Sequence, residues 1–427
     1  MADQLPEQER RGGPDRVRPA ASDSPEGSPR YVAPPLLAAA AIVLLSVNLR
    51  PGASSVGPVL EELRSSLGMG GTVAGLMTAL PGLCFGAIGL LAVGLARRIG
   101  VTTGIFLGIV AVAGGLLGRV LTGSVPVFLA MTALALGGMA VCNVLTPAWI
   151  KRHSSDGGVV LMTIYGAGLT LGGALGSLLA APIASAYAAT WGWRAALGVW
   201  GAVAVLALLP WLPALVGERR ARRGRLPLPR ARQAHISTSP TALALTLLFG
   251  IQAMNAYVQF GWLPQIYRDA GLSAVHAGAL IALLTTLGIL GGLLMPTVIA
   301  RSRTLTPWML AMGALCVAGY AGLLLAPATV PWLWAVLLGL AGFAFPTTIA
   351  LITARTRDPQ VTARLSGFVQ PVGYVLAAVG PMAVGMIHGA TGDWTLVLLL
   401  LMASGVALGL AGLRVARPVY VDDELAA

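Results

Sequence analysis

The chain has 427 residues, of which 56% are hydrophobic and only 10% charged, with 55 glycines and a formal net charge of +12. Its mean hydropathy is +0.80. These proportions exclude a soluble globular domain of this length and describe an integral membrane protein.

In chain order, the first 33 residues carry six acidic and five basic side chains among several prolines, the composition of a disordered tail. No cleavable signal is expected, because the first apolar stretch starts late and is long enough to stay in the membrane. Apolar stretches follow at residues 34–59, 70–95, 101–121, 125–149, 158–184 and 194–215. After a polar interval they resume at 241–264, 275–298, 306–326, 331–353, 364–387 and 393–413. Each is long enough to cross a bilayer core as a helix, which takes about 20 residues. Runs of Leu, Ala, Gly and Val without strict alternation rule out a β-barrel. The expected fold is an all-α membrane protein of twelve transmembrane helices.

The first stretch contains an arginine in Ser46-Val-Asn48-Leu-Arg50-Pro51-Gly52. The apolar run before it is too short to span alone, so the helix must continue through Arg50. A charge at that depth costs about 2.5–3.5 kcal/mol even on lenient insertion scales, and chains that keep one generally use it. The alternative is a tilted helix from which Arg50 snorkels to the headgroups as an anchor. Pro51, Gly52, Ser54, Ser55 and Gly57 follow directly, and their weak helix propensity favours a break lining a cavity.

The basic residues are unevenly placed. With the N-terminus on the cytoplasmic side, 23 of the 28 Lys and Arg fall on that side and 4 on the other, Arg119 among them, as the positive-inside rule requires. The loop bearing Arg219, Arg220, Arg222, Arg223, Arg225, Arg230 and Arg232 is then a topogenic segment in contact with lipid, and no nucleic-acid partner is expected. Cys84, Cys142 and Cys316 all lie in apolar stretches and form no disulfide framework. Nine of the ten tryptophans fall near predicted segment ends, Trp149, Trp191, Trp193, Trp262, Trp332 and Trp394 among them, which suggests aromatic belts.

Residues 217–240 divide the chain into two sets of six spans, giving a tail at 1–33, halves at 34–216 and 241–415 joined by the basic linker, and a second tail at 416–427. The halves echo one another. Arg64, Ala74-Gly75 and Ala96-Arg97 recur as Arg268, Ala277-Gly278 and Ala300-Arg301, offset by 203 or 204 residues. Gly192-Trp193 and Asp393-Trp394 continue the echo at 201. A nearly constant offset indicates duplicated six-helix halves about a pseudo-two-fold axis along the membrane normal.

Several stretches carry a narrower resemblance: Asn48-Leu-Arg50-Pro51, Ser55-Val-Gly-Pro58, Leu80-Pro81-x-x-Cys84-Phe85-Gly86, Gly192-Trp193-Arg194, Trp262-Leu-Pro264, Ala277-Gly278, and Ser366-Gly367-x-x-Gln370-x-x-Gly373-Tyr374 through Gly380-Pro381. Together they resemble the cyanate permease and nitroimidazole transporter family within the major facilitator superfamily. The resemblance implies a twelve-helix secondary transporter of a small solute and leaves its identity and direction open. One departure stands out. Where the superfamily usually carries Gly-x-Leu-Ala-Asp-Arg-x-Gly between its second and third spans, this chain has Val93-Gly-Leu95-Ala96-Arg97-Arg98-Ile99-Gly100, with Arg97 in place of the carboxylate.

Beyond Arg50 and its neighbour Asn48, the most organised polar set is Gln252, Asn255 and Gln259 on the seventh span. Their spacing places them on one helical face, which either looks into the cavity or bonds neighbouring helices. Gln370 and Tyr374 share a face of the eleventh span, while Asn143 and Tyr165 lie on the fourth and fifth. In this architecture the site sits between the halves near the midplane, so these residues are the expected substrate-binding set. His388 is either interfacial or a proton-coupling group. His153, His235 and His276 suggest no site. Gly168, Gly172 and Gly176 form a small-residue stripe for helix packing, and Gly380-Pro381 suggests a bend. No phosphate loop, metal-ligand set or nucleophile–base pair is visible, so no cofactor, metal or enzymatic activity is expected. The expected function is transport of a small anion or small polar aromatic by a monomer in the cytoplasmic membrane, with both termini cytoplasmic. A non-transporting sensor or scaffold is the alternative, and an intramembrane enzyme is opposed by the lack of acidic residues at depth.

Overall fold

The computed structural model describes residues 33–153, 159–188, 191–221 and 236–426. The N-terminal tail, apart from Ala33, and most of the basic linker lie outside the described residues, as do His235 and the side chain of Arg97. Twelve helices are long and apolar enough to cross a membrane. They are α1 (Pro35–Leu67), α2 (Gly71–Ile99), α3 (Val101–Val120), α4 (Val125–His153), α5 (Val159–Ala186) and α6 (Trp193–Ala221), then α7 (Pro240–Gly261), α8 (Ala274–Arg301), α9 (Thr306–Leu325), α10 (Pro331–Ala354), α11 (Pro359–Thr391) and α12 (Thr395–Ala416). No strand occurs among the described residues.

Starts and stops follow local chemistry. Pro35 opens α1 at the position where a missing N–H costs nothing. Ser239 and Ser273 cap α7 and α8 by accepting the backbone N–H groups of Ala242 and His276. Two spans are interrupted. α1 stops at Asn48 and restarts at Pro51, and α10 is broken between Ala341 and Ala344. α11 is continuous through Gly380-Pro381 and keeps Pro371 and Pro381 inside it.

The packing repeats itself between halves. Within the first half α1 packs on α5 and α6, α3 on α4 and α6, and α2 on α4. Six spans later the same pattern returns: α7 packs on α11 and α12, α9 on α10 and α12, and α8 on α10. Across the halves α2 meets α11 and α5 meets α8, a pair of seams exchanged by the same shift of six. This is the pseudo-two-fold arrangement that the sequence echo suggests.

An even number of crossings puts the start of α1, the linker and the C-terminus at one end of the bundle, here the terminal end. The other is the distal end. The short helix Val421–Ala426 closes the terminal end of the second half. Its Glu424 accepts from the backbone and hydroxyl of Thr241, from the Ser239 hydroxyl and from Arg414. Burial pushes the Glu424 carboxyl up, but these donors outweigh it and hold the carboxyl below its ordinary value.

The two seams are closed toward the distal end. A Cβ on Gly75 would lie 3.0 Å from the carbonyl of Met382, and one on Gly385 only 2.6 Å from that of Gly71, so α2 and α11 touch backbone to backbone. On the other seam Gly173 lies against Thr285. Two turns toward the terminal end on the same faces, Gly166 and Gly292 have nothing within 4 Å of an added Cβ. The α5–α8 seam is therefore packed less tightly toward the terminal end.

A polar clasp holds the distal end. Arg268, just beyond α7, binds Glu62 through two hydrogen bonds of 2.9 and 3.0 Å and Glu61 at 2.9 Å. The indole of Trp262 donates to the Thr78 hydroxyl of α2 at 2.9 Å and to the Pro381 carbonyl of α11 at 3.1 Å. Trp149, Trp193, Trp211 and Trp262 are buried, which corrects the belt reading for these residues. Position near a segment end does not distinguish a lipid-facing ring from one packed between helices. Trp191, Trp308 and Trp332 are exposed. The three cysteines are free and buried.

Candidate functional site

The break in α1 makes the site. Pro51 has no N–H to continue the helix, so Leu49 and Arg50 leave the helical ladder before the single turn Pro51–Ser54. That turn is pressed into the α5 stripe: a Cβ on Gly172 would lie 2.1 Å from the Val47 carbonyl, and one on Gly176 2.9 Å from the Pro51 Cα. The stripe is thus a packing surface that seats the break. Ser54 and Ser177 fasten it, with Ser54 Oγ donating to Gly173 O at 2.9 Å and Ser177 Oγ to Ser54 O at 3.2 Å.

Arg50 projects from this break into a cavity between the halves, lined also by Ala53 of α1, Pro81 and Phe85 of α2, Leu136 of α4, and Tyr257 and Phe260 of α7. An adjoining cavity toward the distal end shares Ala53, Pro81, Leu136, Tyr257 and Phe260 and adds Thr78 and Thr132. Each offers about 20 Å³, room for one or two water molecules. The guanidinium is half-buried and makes no hydrogen bond or ion pair among the described residues. It acts electrostatically on the phenols of Tyr165, Tyr257 and Tyr374, which brings α1, α5, α7 and α11 to one place.

Tyr374 packs against Phe85 at 5.5 Å, Phe249 at 4.9 Å and Tyr257 at 6.2 Å between ring centroids, an aromatic wall that spans the two halves. Tyr165 donates to the Asn143 side chain, pairing α5 with α4 within the first half. Gln370 bonds Ser366 on its own helix at 2.7 Å. No Asp or Glu borders either cavity.

The α7 amides do not face this cavity. Asn255 donates to Ser404 Oγ of α12 at 3.0 Å and accepts from Tyr320 OH of α9 at 2.8 Å. Gln259 donates to the same Tyr320 hydroxyl at 3.1 Å, and Gln252 to Gly342 O at the break of α10 at 3.5 Å. The expectation of an inward face gives way to interhelical bonding within the second half. Helical spacing shows which residues share a face but not where that face points, and either cavity water or a neighbouring helix satisfies an amide. The cavity face is set by Tyr257 and Phe260 instead, and Tyr257 lies two residues from Asn255, roughly opposite it. Asn48 likewise turns away, donating to Trp200 O of α6 at 2.8 Å.

His388 sits at the distal end of α11, stacked on Trp394 with centroids 3.7 Å apart and edge-on to Trp262. It belongs to the distal seal and is remote from the Arg50 cavity. Of the residues that sequence reasoning missed, Phe85 lies within a quoted family motif. Tyr257 and Phe260 were legible only as aromatics on the face of α7 away from its amides.

Two six-helix halves, related by a pseudo-two-fold and with a cavity between them, define a membrane transporter of the alternating-access class. The chain belongs to the major facilitator superfamily, whose family model matches residues 36–381. It is 32% identical to the 2-nitroimidazole transporter of Escherichia coli (strain K12), over 88% of this chain and 95% of that one. It is 29% identical to the cyanate transport protein CynX of the same organism, over 83% and 90%. Among solved structures, a D-xylose-proton symporter aligns with a TM-score of 0.70 at 14% identity, covering 91% of this chain and 98% of that one.

These placements give a first test. Replacing Asn255 or Gln259 with leucine leaves Tyr320 short of a partner and is expected to cost about 1–3 kcal/mol of stability, read as a lower Tm with the KM of the folded fraction unchanged. Tyr257→Leu is expected to raise KM at near wild-type Tm. The reverse pattern would return the amides to the cavity.

Proposed function

We propose that the protein is a secondary active transporter that carries a small anion, organic or inorganic, across the cytoplasmic membrane, with Arg50 as the counter-charge. The observation that carries this reading is a guanidinium with no hydrogen-bond or ion-pair partner among the described residues, held at a helix break in a cavity between the halves, with no carboxylate at its walls. An anion arriving there completes the charge that the membrane interior otherwise penalises. The phenols of Tyr257 and Tyr374, which make no hydrogen bond among the described residues, and the Tyr165–Asn143 pair orient it. The small cavity favours a solute of few atoms, and the relative named for cyanate transport fits such an ion.

The aromatic wall of Phe85, Tyr257 and Tyr374 favours a second reading, a small planar aromatic, as in the relative named for 2-nitroimidazole. The two readings differ in their need for Arg50. Purified protein is to be screened by thermal shift against cyanate, nitrate, benzoate and neutral 2-nitroimidazole. With Arg50→Ala, the shift by anions disappears while the protein still folds. Arg50→Lys restores it only in part, since an ammonium lacks the planar fork that holds an oxyanion at two points. Unchanged anion binding by the alanine variant would remove Arg50 from the site.

The terminal end is proposed to be cytoplasmic, because 23 of the 28 basic residues fall on that side, so that the looser end of the α5–α8 seam faces inward. A cysteine placed at Ser237 is expected to stay unlabelled by an impermeant thiol reagent in intact cells. Labelling there would reverse the orientation.

Coupling through a membrane-embedded carboxylate is not proposed. The described Asp and Glu side chains lie at the distal clasp, in the loop after α11 or at the terminal end. Transport of a non-titrating anion is expected to vary little between about pH 6 and 8 once His388 is replaced by glutamine. Proton movement in proteoliposomes that stays stoichiometric with substrate in His388→Gln would contradict this.

A further inference from the structure

The membrane interior holds a second arginine. Arg119, in the last turn of α3, is fully buried, although charge distribution alone assigns it to the exterior loops. Its Nη1 donates to the carbonyl of Gly52 at 3.0 Å, while Nε and Nη2 find no partner among the described residues. Gly52 lies in the turn Pro51–Ser54 that immediately follows Arg50.

The Gly52 carbonyl is available because the helix is broken. The amide of Val56, which would continue the α-helical ladder onto it, bonds Ala53 O instead at 3.3 Å. The turn is therefore held from two sides, by Ser54 and Ser177 against α5 and by Arg119 from α3. A charged donor on a buried carbonyl is among the stronger hydrogen bonds. A fully buried guanidinium with two idle nitrogens is costly to keep unless it serves a purpose.

We propose that Arg119 is a positioning residue for substrate recognition: it clamps the Gly52 carbonyl and so fixes the α1 turn that aims Arg50 into the cavity. Its charge lies behind the site and touches no substrate. The inference rests on the reading of Arg50 as the substrate counter-charge, yet the clamp itself is measurable without any substrate.

The test is hydrogen exchange of the full chain in detergent micelles, followed by benzoate binding. In Arg119→Gln, residues 49–57 are expected to exchange about tenfold faster or more, as suits the loss of a charge-assisted bond, while the rest of the first half keeps wild-type protection. Arg119→Lys, whose ammonium still reaches a carbonyl, is expected to restore most of that protection. Benzoate binding in Arg119→Gln weakens by a similar factor, with a raised KM and little change in kcat. Exchange at 49–57 identical to wild type, or a uniform loosening of the whole first half that lysine does not rescue, would overturn the proposal. A wild-type protein that binds no anion sinks the anion reading alone, and the exchange result still decides the clamp.

Discussion

A positive charge held at membrane depth without a carboxylate is the constraint around which the molecule is arranged. At a cost of about 2.5–3.5 kcal/mol, Arg50 needs a place where neither lipid nor apolar side chains surround it. The break at Leu49-Arg50 supplies that place, and the break in turn needs small neighbours. Gly172 and Gly176 of α5 let the exposed backbone of α1 approach where any Cβ would collide. From one charge follow the interrupted helix, the glycine stripe and the cavity.

The duplication is symmetric in packing but not in chemistry. At the offset of 204 residues that relates Arg64 to Arg268, the residue matching Arg50 is Met254. Arg50 at the helix break and the fully buried Arg119 belong to the first half. The second half presents rings and phenols, from Tyr257 and Phe260 of α7 and Tyr374 of α11. In the proposed binding mode a solute touches a cation on one side and aromatic faces on the other. It is placed to join the halves, which is what a rocking cycle requires of its cargo.

Much of the fold was legible because membrane solvation is a strong constraint: long apolar runs must be helices, and an even number of them returns the chain to its starting side. The echo between Arg64 and Arg268 was also a true guide, though only Arg268 carries the clasp to Glu61 and Glu62. The break after Asn48 could be read from Pro51 and its neighbours. What was not legible was direction. The amides of α7 share a face, yet Tyr320 and Ser404, distant in sequence, draw that face into the second half. Arg119 sits one turn from a helix end, where sequence alone does not separate a headgroup contact from a buried clamp.

The distal seam has a consequence for the medium outside it. Where α2 and α11 meet through glycines their backbones approach directly, and beside that seam a buried apolar cluster joins Leu60, Leu63 and Met77 to Trp262, Ile266 and Tyr267. The polar clasp adds a smaller share at the surface, where its acidic partners Glu61 and Glu62 are about half exposed. Surface ion pairs weaken as salt screens them. In the proposed transport cycle, that polar share of the distal seal is therefore tied to the ionic strength it faces, and dilute surroundings hold the clasp more firmly than saline ones.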